Sequence, residues 1–176
     1  MALCEKILIV GFSGAGKSTL LNTLRASPPA GWVNFDDLDG LVLKNRGRGL
    51  NSIAQLVEVH GWEQFRLWER QEIEGWLKEE GKGILALGGG AFSPLLFELF
   101  SKSRKIKFCH LEVSFESAWK RLHIEGVEER PLIKHGMENL KKVYDERMKH
   151  FSLVDWKINA DRPAEKVKAE FLAGLV

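Results

Sequence analysis

No stretch of the chain approaches the length of a membrane span, only two of its 176 residues are cysteine, and the formal net charge is only +2. The first shortage argues against a helical membrane protein, and the second against a disulfide framework. The third removes bulk electrostatics as a reason to bind nucleic acid or a membrane surface. Cys4 and Cys109 lie in or beside apolar, strand-like runs and lack CxxC spacing, so they read as small buried hydrophobes in a reducing compartment. Internal repeats, linkers and low-complexity segments are also missing. The N-terminus carries one lysine and a short apolar run that flows into a glycine-rich loop, which reads as a core strand and not a signal peptide. With 44% apolar and 28% charged residues, the expectation is a soluble, cytoplasmic, globular protein with one domain over residues 1–176. The six tryptophans are scattered and read mostly as packing.

What is present begins with Gly11-Phe12-Ser13-Gly14-Ala15-Gly16-Lys17-Ser18, between the apolar run Lys6–Val10 and a helical pattern from Lys17 to Ala26. It fits G-x-x-x-x-G-K-[ST] with the strand and helix that the motif requires. Backbone amides around Gly14, Ala15 and Gly16, with Thr19 behind them, are expected to close on phosphates at the positive end of the helix. Lys17 would reach the β- and γ-phosphates, and Ser18 would offer its hydroxyl to Mg²⁺.

Further along, Leu3–Val10, Trp32–Phe35, Gly83–Leu87, Ile106–Val113 and Trp156–Asn159 read as strands, the most apolar of them as buried parallel ones. Helical patterns cover Ser52–His60, Trp62–Glu80, Pro94–Ser101, a segment capped by Ser114, Gly136–Phe151 and Pro163–Leu175. Lys44–Gly49 reads as a solvated basic turn. In the long helix, Trp62, Phe65, Ile73, Trp76 and Leu77 form an apolar stripe, with Arg66 and Glu69 along or beside it. Such inward charges either pair at i, i+3 or line a site. Arg147 likewise shares a face with Leu140, Tyr144 and Phe151. Glu125–Leu132 breaks the periodicity and reads as a mobile loop.

Alternation of strand and helix implies a single-domain, three-layer α/β/α fold around a five-stranded parallel sheet. Ligands of such sheets sit beyond the carboxyl ends of the strands, which gathers the phosphate loop, Asp37, Asp39 and Gly88–Gly90 into one crevice. A phosphate loop facing acids implies Mg²⁺ and ATP, and inward arginines imply an anionic second substrate. Together they suggest a small-molecule kinase.

The motifs, taken in order, resemble the shikimate kinases over nearly the whole chain. They are the phosphate loop, Phe35-Asp36-Asp37-Leu38-Asp39, Gly61-x-x-x-Phe65-Arg66-x-x-Glu69, Gly88-Gly89-Gly90-Ala91, Arg130-Pro131-Leu132 and Arg147. The resemblance implies a monomeric P-loop kinase, related in fold to the nucleoside monophosphate kinases, that makes shikimate 3-phosphate on the route to chorismate and the aromatic amino acids. It implies acceptor-binding helices at about 38–80 and a mobile lid at about 125–136. Lys17, Asp39 and Arg130 match the catalytic groups, Asp37 the Mg²⁺-associated aspartate, and Arg121 the arginine stacked on adenine, opposite the loop near Arg162-Pro163. Arg66 and Arg147 match the pair that grips the shikimate carboxylate. Glu69 would orient hydroxyls or hold Arg66, and Gly89 and Gly90 would lie against the ring. The chain departs from the family pattern at Val42-Leu43, where an Ile-Glu pair is usual, at Leu21 and at Lys149. Its loops near Arg48 and before Arg130 are longer than usual. Alternatives are a kinase of another hydroxy acid, such as gluconate, or a nucleotide-binding regulatory protein without turnover.

Overall fold

A computed structural model of the chain describes residues 5–124 and 136–175. The run Lys6–Val10 forms β1, buried along its whole length as expected of a strand covered on both faces. It occupies the centre of the sheet, with Leu8 in register with Leu85 of β3 (Lys82–Ala86) on one side and with Phe108 of β4 (Ile106–Glu112) on the other. The edges are β2 (Trp32–Asp37) and β5 (Lys157–Asn159), giving the order β2-β3-β1-β4-β5 with every pairing parallel. The fold class read from the chain is therefore the one observed.

Seven helices lie among the described residues: α1 (Lys17–Ala26), α2 (Leu38–Arg46), α3 (Ile53–Leu77), α4 (Pro94–Ser101), α5 (Phe115–Ile124), α6 (Gly136–Phe151) and α7 (Ala164–Ala173). Helix α1 packs on β2, β3 and α7, and α2 packs on α3. Ser93 caps α4 by accepting from Leu96 N at 3.2 Å, with Pro94 in the first turn where its missing N–H costs nothing. Helix α3 is broken at Gly61, whose φ of 80° and ψ of 162° lie outside helical values. This break corresponds to the two separate helices expected from the pattern.

Three expectations need correction. Lys44–Arg46 is not a solvated turn: it is the last turn of α2, a helix that β2 enters directly because Asp37 accepts from Gly40 N at 3.3 Å and caps it. Trp62 does not join the core stripe, since the break at Gly61 leaves it 46% exposed, whereas Phe65, Ile73 and Trp76 are buried. The second strand runs on to Asp37, past Phe35. Cys4, Arg130 and the expected lid at about 125–136, apart from Gly136 at the start of α6, lie outside the described residues. Cys109 is buried in β4, where burial pushes its thiol well above the usual range.

Candidate active site

The carboxyl ends of β1, β2 and β3 open onto one cavity of about 410 Å³. Its floor is the loop that leaves β1. Gly14 and Gly16 take φ values of 82° and 85°, the left-handed region that glycine enters without strain, and Gly16 is the residue from which α1 starts. The loop thus points amides at the cavity from the positive end of a helix. Lys17 bends back over it, with Nζ donating to Gly11 O at 2.7 Å and Phe12 O at 3.0 Å. Across the loop, Ser18 Oγ donates to Asp37 Oδ2 at 3.3 Å. Asp37 therefore uses one carboxylate oxygen as a helix cap and the other toward the loop serine.

The opposite wall is made where α2, α3 and α6 meet the turn after β3. Polar and charged groups crowd positions 88 to 90, where glycine leaves them room. A Cβ at Gly88 would stand 2.8 Å from Asp39 Oδ1 and 3.1 Å from Glu69 Oε1, and one at Gly89 would stand 2.6 Å from Ser13 Oγ. At Gly90 it would meet both Arg66 and Arg147, the latter 2.9 Å away at Nη2. Two carboxylates and two guanidinium groups thus converge on three glycines. They come from four places in the chain: α2, two turns of α3, and α6.

The electrostatics of this wall are tense. Glu69 is 3% exposed and pairs with Arg66 through Nη1. Burial pushes its carboxyl up to about 7 against the opposing pull of Arg66, with Asp39 adding to the rise and Arg147 to the pull. Arg147 is lowered to about 10, first by burial and then by the Arg66 charge beside it. Its guanidinium carbon lies 5.5 Å from the centre of the Phe12 ring, and its Nη1 is buried without a hydrogen-bond partner. A buried guanidinium nitrogen facing a second cation calls for an anion between them. Both readings of Arg66 and Glu69 therefore hold at once: they pair with each other and they line the cavity.

A second cavity, of about 290 Å³, lies on the other side of the same loop. Arg121 lines it, with Nη1 donating to Gly14 O at 3.1 Å and Nη2 to Ala160 O at 2.8 Å. Arg162 and Thr19 line it as well. Gly14, Gly16 and Thr19 border both cavities. Among the lining residues of the larger cavity that sequence reasoning missed are Ser13, residues 52–54, Leu87 and Trp62, the last with its ring 5.2 Å from the Arg66 guanidinium. The signal for Trp62 was its position directly after the helix-breaking Gly61.

Comparison with known proteins follows the same lines. The family model described as shikimate kinase matches residues 13–175. A curated shikimate kinase from Aquifex aeolicus is 31% identical over 170 residues, covering 97% of this chain and 95% of its own. The crystal structure of shikimate kinase from Aquifex aeolicus superposes with a TM-score of 0.78 at 29% identity, covering 97% of this chain and 95% of that one. A shikimate kinase from Acinetobacter baumannii in complex with shikimate has the same fold, with a TM-score of 0.75 at 21% identity and 97% and 94% coverage. The chain accordingly belongs to the shikimate kinase family and is a phosphotransferase of that kind.

Proposed function

We propose that this chain transfers the terminal phosphoryl group of ATP to a ring hydroxyl of shikimate, forming shikimate 3-phosphate for the chorismate route. The observation that carries this reading is the convergence of Arg66 and Arg147 over Gly90, with a buried nitrogen of Arg147 left for an anion, in the cavity that also holds Asp39 and the phosphate loop. A planar carboxylate between two guanidinium groups meets that need. With its carboxylate fixed there, a cyclic polyol extends toward Gly88, where Asp39 and Glu69 stand.

Asp39 then accepts the proton of the attacking hydroxyl. That oxygen forms a bond to the terminal phosphorus, and the phosphorus–oxygen bond to ADP breaks in line. Lys17 exchanges its bonds to Gly11 O and Phe12 O for phosphate oxygens, so the donors used on the loop carbonyls turn to the nucleotide. Arg130 is assigned the neutralisation of charge on the moving group, and residues about 125–136 the exclusion of water. Gly14 to Thr19 hold the phosphates. Arg121 borders the nucleoside through the second cavity.

Mg²⁺ fits the oxygen pair of Ser18 and Asp37. Among the described residues no cluster of three or more His, Cys, Asp and Glu side chains stands ready for a metal. That agrees with an ion held by one or two protein oxygens, phosphate and water. When bound, the ion neutralises charge on the phosphates.

The test is a coupled ADP-release assay over a panel of hydroxy acids, gluconate included. Shikimate should give by far the highest kcat/KM, and Lys17→Met and Asp39→Asn should each abolish turnover. Intact ATP binding without any shikimate-dependent turnover would remove the assignment.

A further inference from the structure

The basic tail of α2 grips α3. Asn45 Nδ2 donates to Glu72 Oε2 at 2.7 Å, Arg46 Nε donates to Glu72 Oε1 at 3.1 Å, and Arg46 Nη2 donates to Gln71 Oε1 at 3.3 Å. Both oxygens of one carboxylate are thus held by two consecutive residues of another helix. Glu72 is only 12% exposed, which screens the pair less than a surface contact would be.

The grip matters because of what else the two helices carry. On α3, Arg66, Glu69 and Glu72 succeed one another at intervals of three, along one face. On α2, Asp39 sits in the first turn and Asn45 and Arg46 in the last. One end of the helix pair therefore bears the acceptor-facing charges and the other end bears the clamp. Helix α2 has nine residues and only two of its side chains, Leu38 and Val42, are buried. A helix so short does not hold its own orientation. Its first half is fixed by those two apolar anchors and by the Asp37 cap, and its last turn by Glu72.

We infer that Glu72 is a positioning residue for phosphoryl transfer: by clamping Asn45 and Arg46, it sets the distance between Asp39 on α2 and the Arg66–Glu69 strip on α3. It acts through Asp39 and touches neither substrate. The inference rests on the reading of this cavity as the acceptor site.

Glu72→Ala should lower kcat/KM for shikimate about tenfold, as a displacement of a reacting group by a fraction of an ångström does, while the Kd for ATP stays within twofold. The Asn45→Ala/Arg46→Ala variant opens the same clamp from the other side and should give the same loss. Adding Glu72→Ala to it should cost little more. Glu72→Gln keeps an oxygen for Arg46 and should recover most of the activity. If Glu72→Ala does not fold, the Asn45/Arg46 variant decides alone. An unchanged kcat/KM for shikimate, or equal losses for both substrates, would overturn the clamp while leaving the acceptor site intact. Failure of the wild-type chain to turn over shikimate would instead overturn the site itself.

Discussion

At the scale of single residues, Arg147 shows how a site stores readiness for a ligand. Its buried Nη1 has no partner, and the charge that acts on it most strongly, Arg66, repels it. The empty protein therefore gains little from this side chain. Replacing it with methionine, which keeps the contact with Phe12 without the charge, should leave the melting temperature of the empty protein unchanged or higher. The same change should raise the KM for shikimate roughly 10- to 100-fold, the worth of hydrogen bonds between charged groups, with a modest effect on ATP. Thermal shift with and without shikimate separates the two effects, because only the wild type should be stabilised by the acceptor. Equal loss of both ligands would count against the assigned role. Gly88→Ala makes a complementary case. Its methyl would fall 2.8 Å from Asp39 Oδ1 and 3.1 Å from Glu69 Oε1, so steady-state kinetics should show acceptor kcat/KM falling further than that of ATP.

At the scale of elements, the parts legible in the chain were those with one strong cause. β1 is apolar throughout because it is central, and α4 announces itself through Ser93 and Pro94. Removing that cap by Ser93→Ala should cost about 1 kcal/mol in denaturant unfolding and leave turnover unchanged, since α4 does not line the cavity. Helix α2 could not be read from its own residues for the opposite reason, and only the family resemblance, with helices at about 38–80, covered it. Its helical character depends on partners far along the sequence, Glu72 and Gln71, and its start depends on Asp37, a residue whose other oxygen serves Ser18. Neither dependence leaves a periodic trace. The convergence of Arg66 and Arg147 was foreshadowed by charge on apolar faces, but their meeting point at Gly90 is a product of packing between α3, α6 and the turn after β3. Trp62 was misplaced because a stripe drawn through it ignores the turn that Gly61 imposes.

At the scale of the whole molecule, two buried groups tilt stability with pH in opposite senses. His110 in β4 is 2% exposed, stacks on Phe151 with ring centres 4.7 Å apart, and has neither ring nitrogen hydrogen-bonded. Burial, with Lys157 and Lys17 adding to it, lowers it to about 4. The unfolded chain takes up this proton near pH 6.5 and the folded one does not, so stability falls as pH drops from about 6.5 toward 4. Glu69 is raised, so its folded form favours the neutral carboxyl, and its contribution is lost as pH rises from about 4.5 through 7. Over their shared range the slopes oppose each other. Urea unfolding across that range should show His110→Leu gaining stability relative to wild type toward acid, on the order of 3 kcal/mol at the limit. A pH-independent difference would mean that His110 takes up its proton as readily in the fold as in the unfolded chain.

The strand order has a consequence for how such a protein can change over time. Apart from the loop after β1 and Arg147 on α6, what faces the larger chamber hangs from β2, β3 and the helices attached to them, whereas Arg121 and Ala160, which border the smaller one, come from beyond β4 and β5. Only the loop after β1 is common property. A lineage can therefore rewrite one half of the sheet's margin to admit a new alcohol while the other half goes on recognising the same fuel.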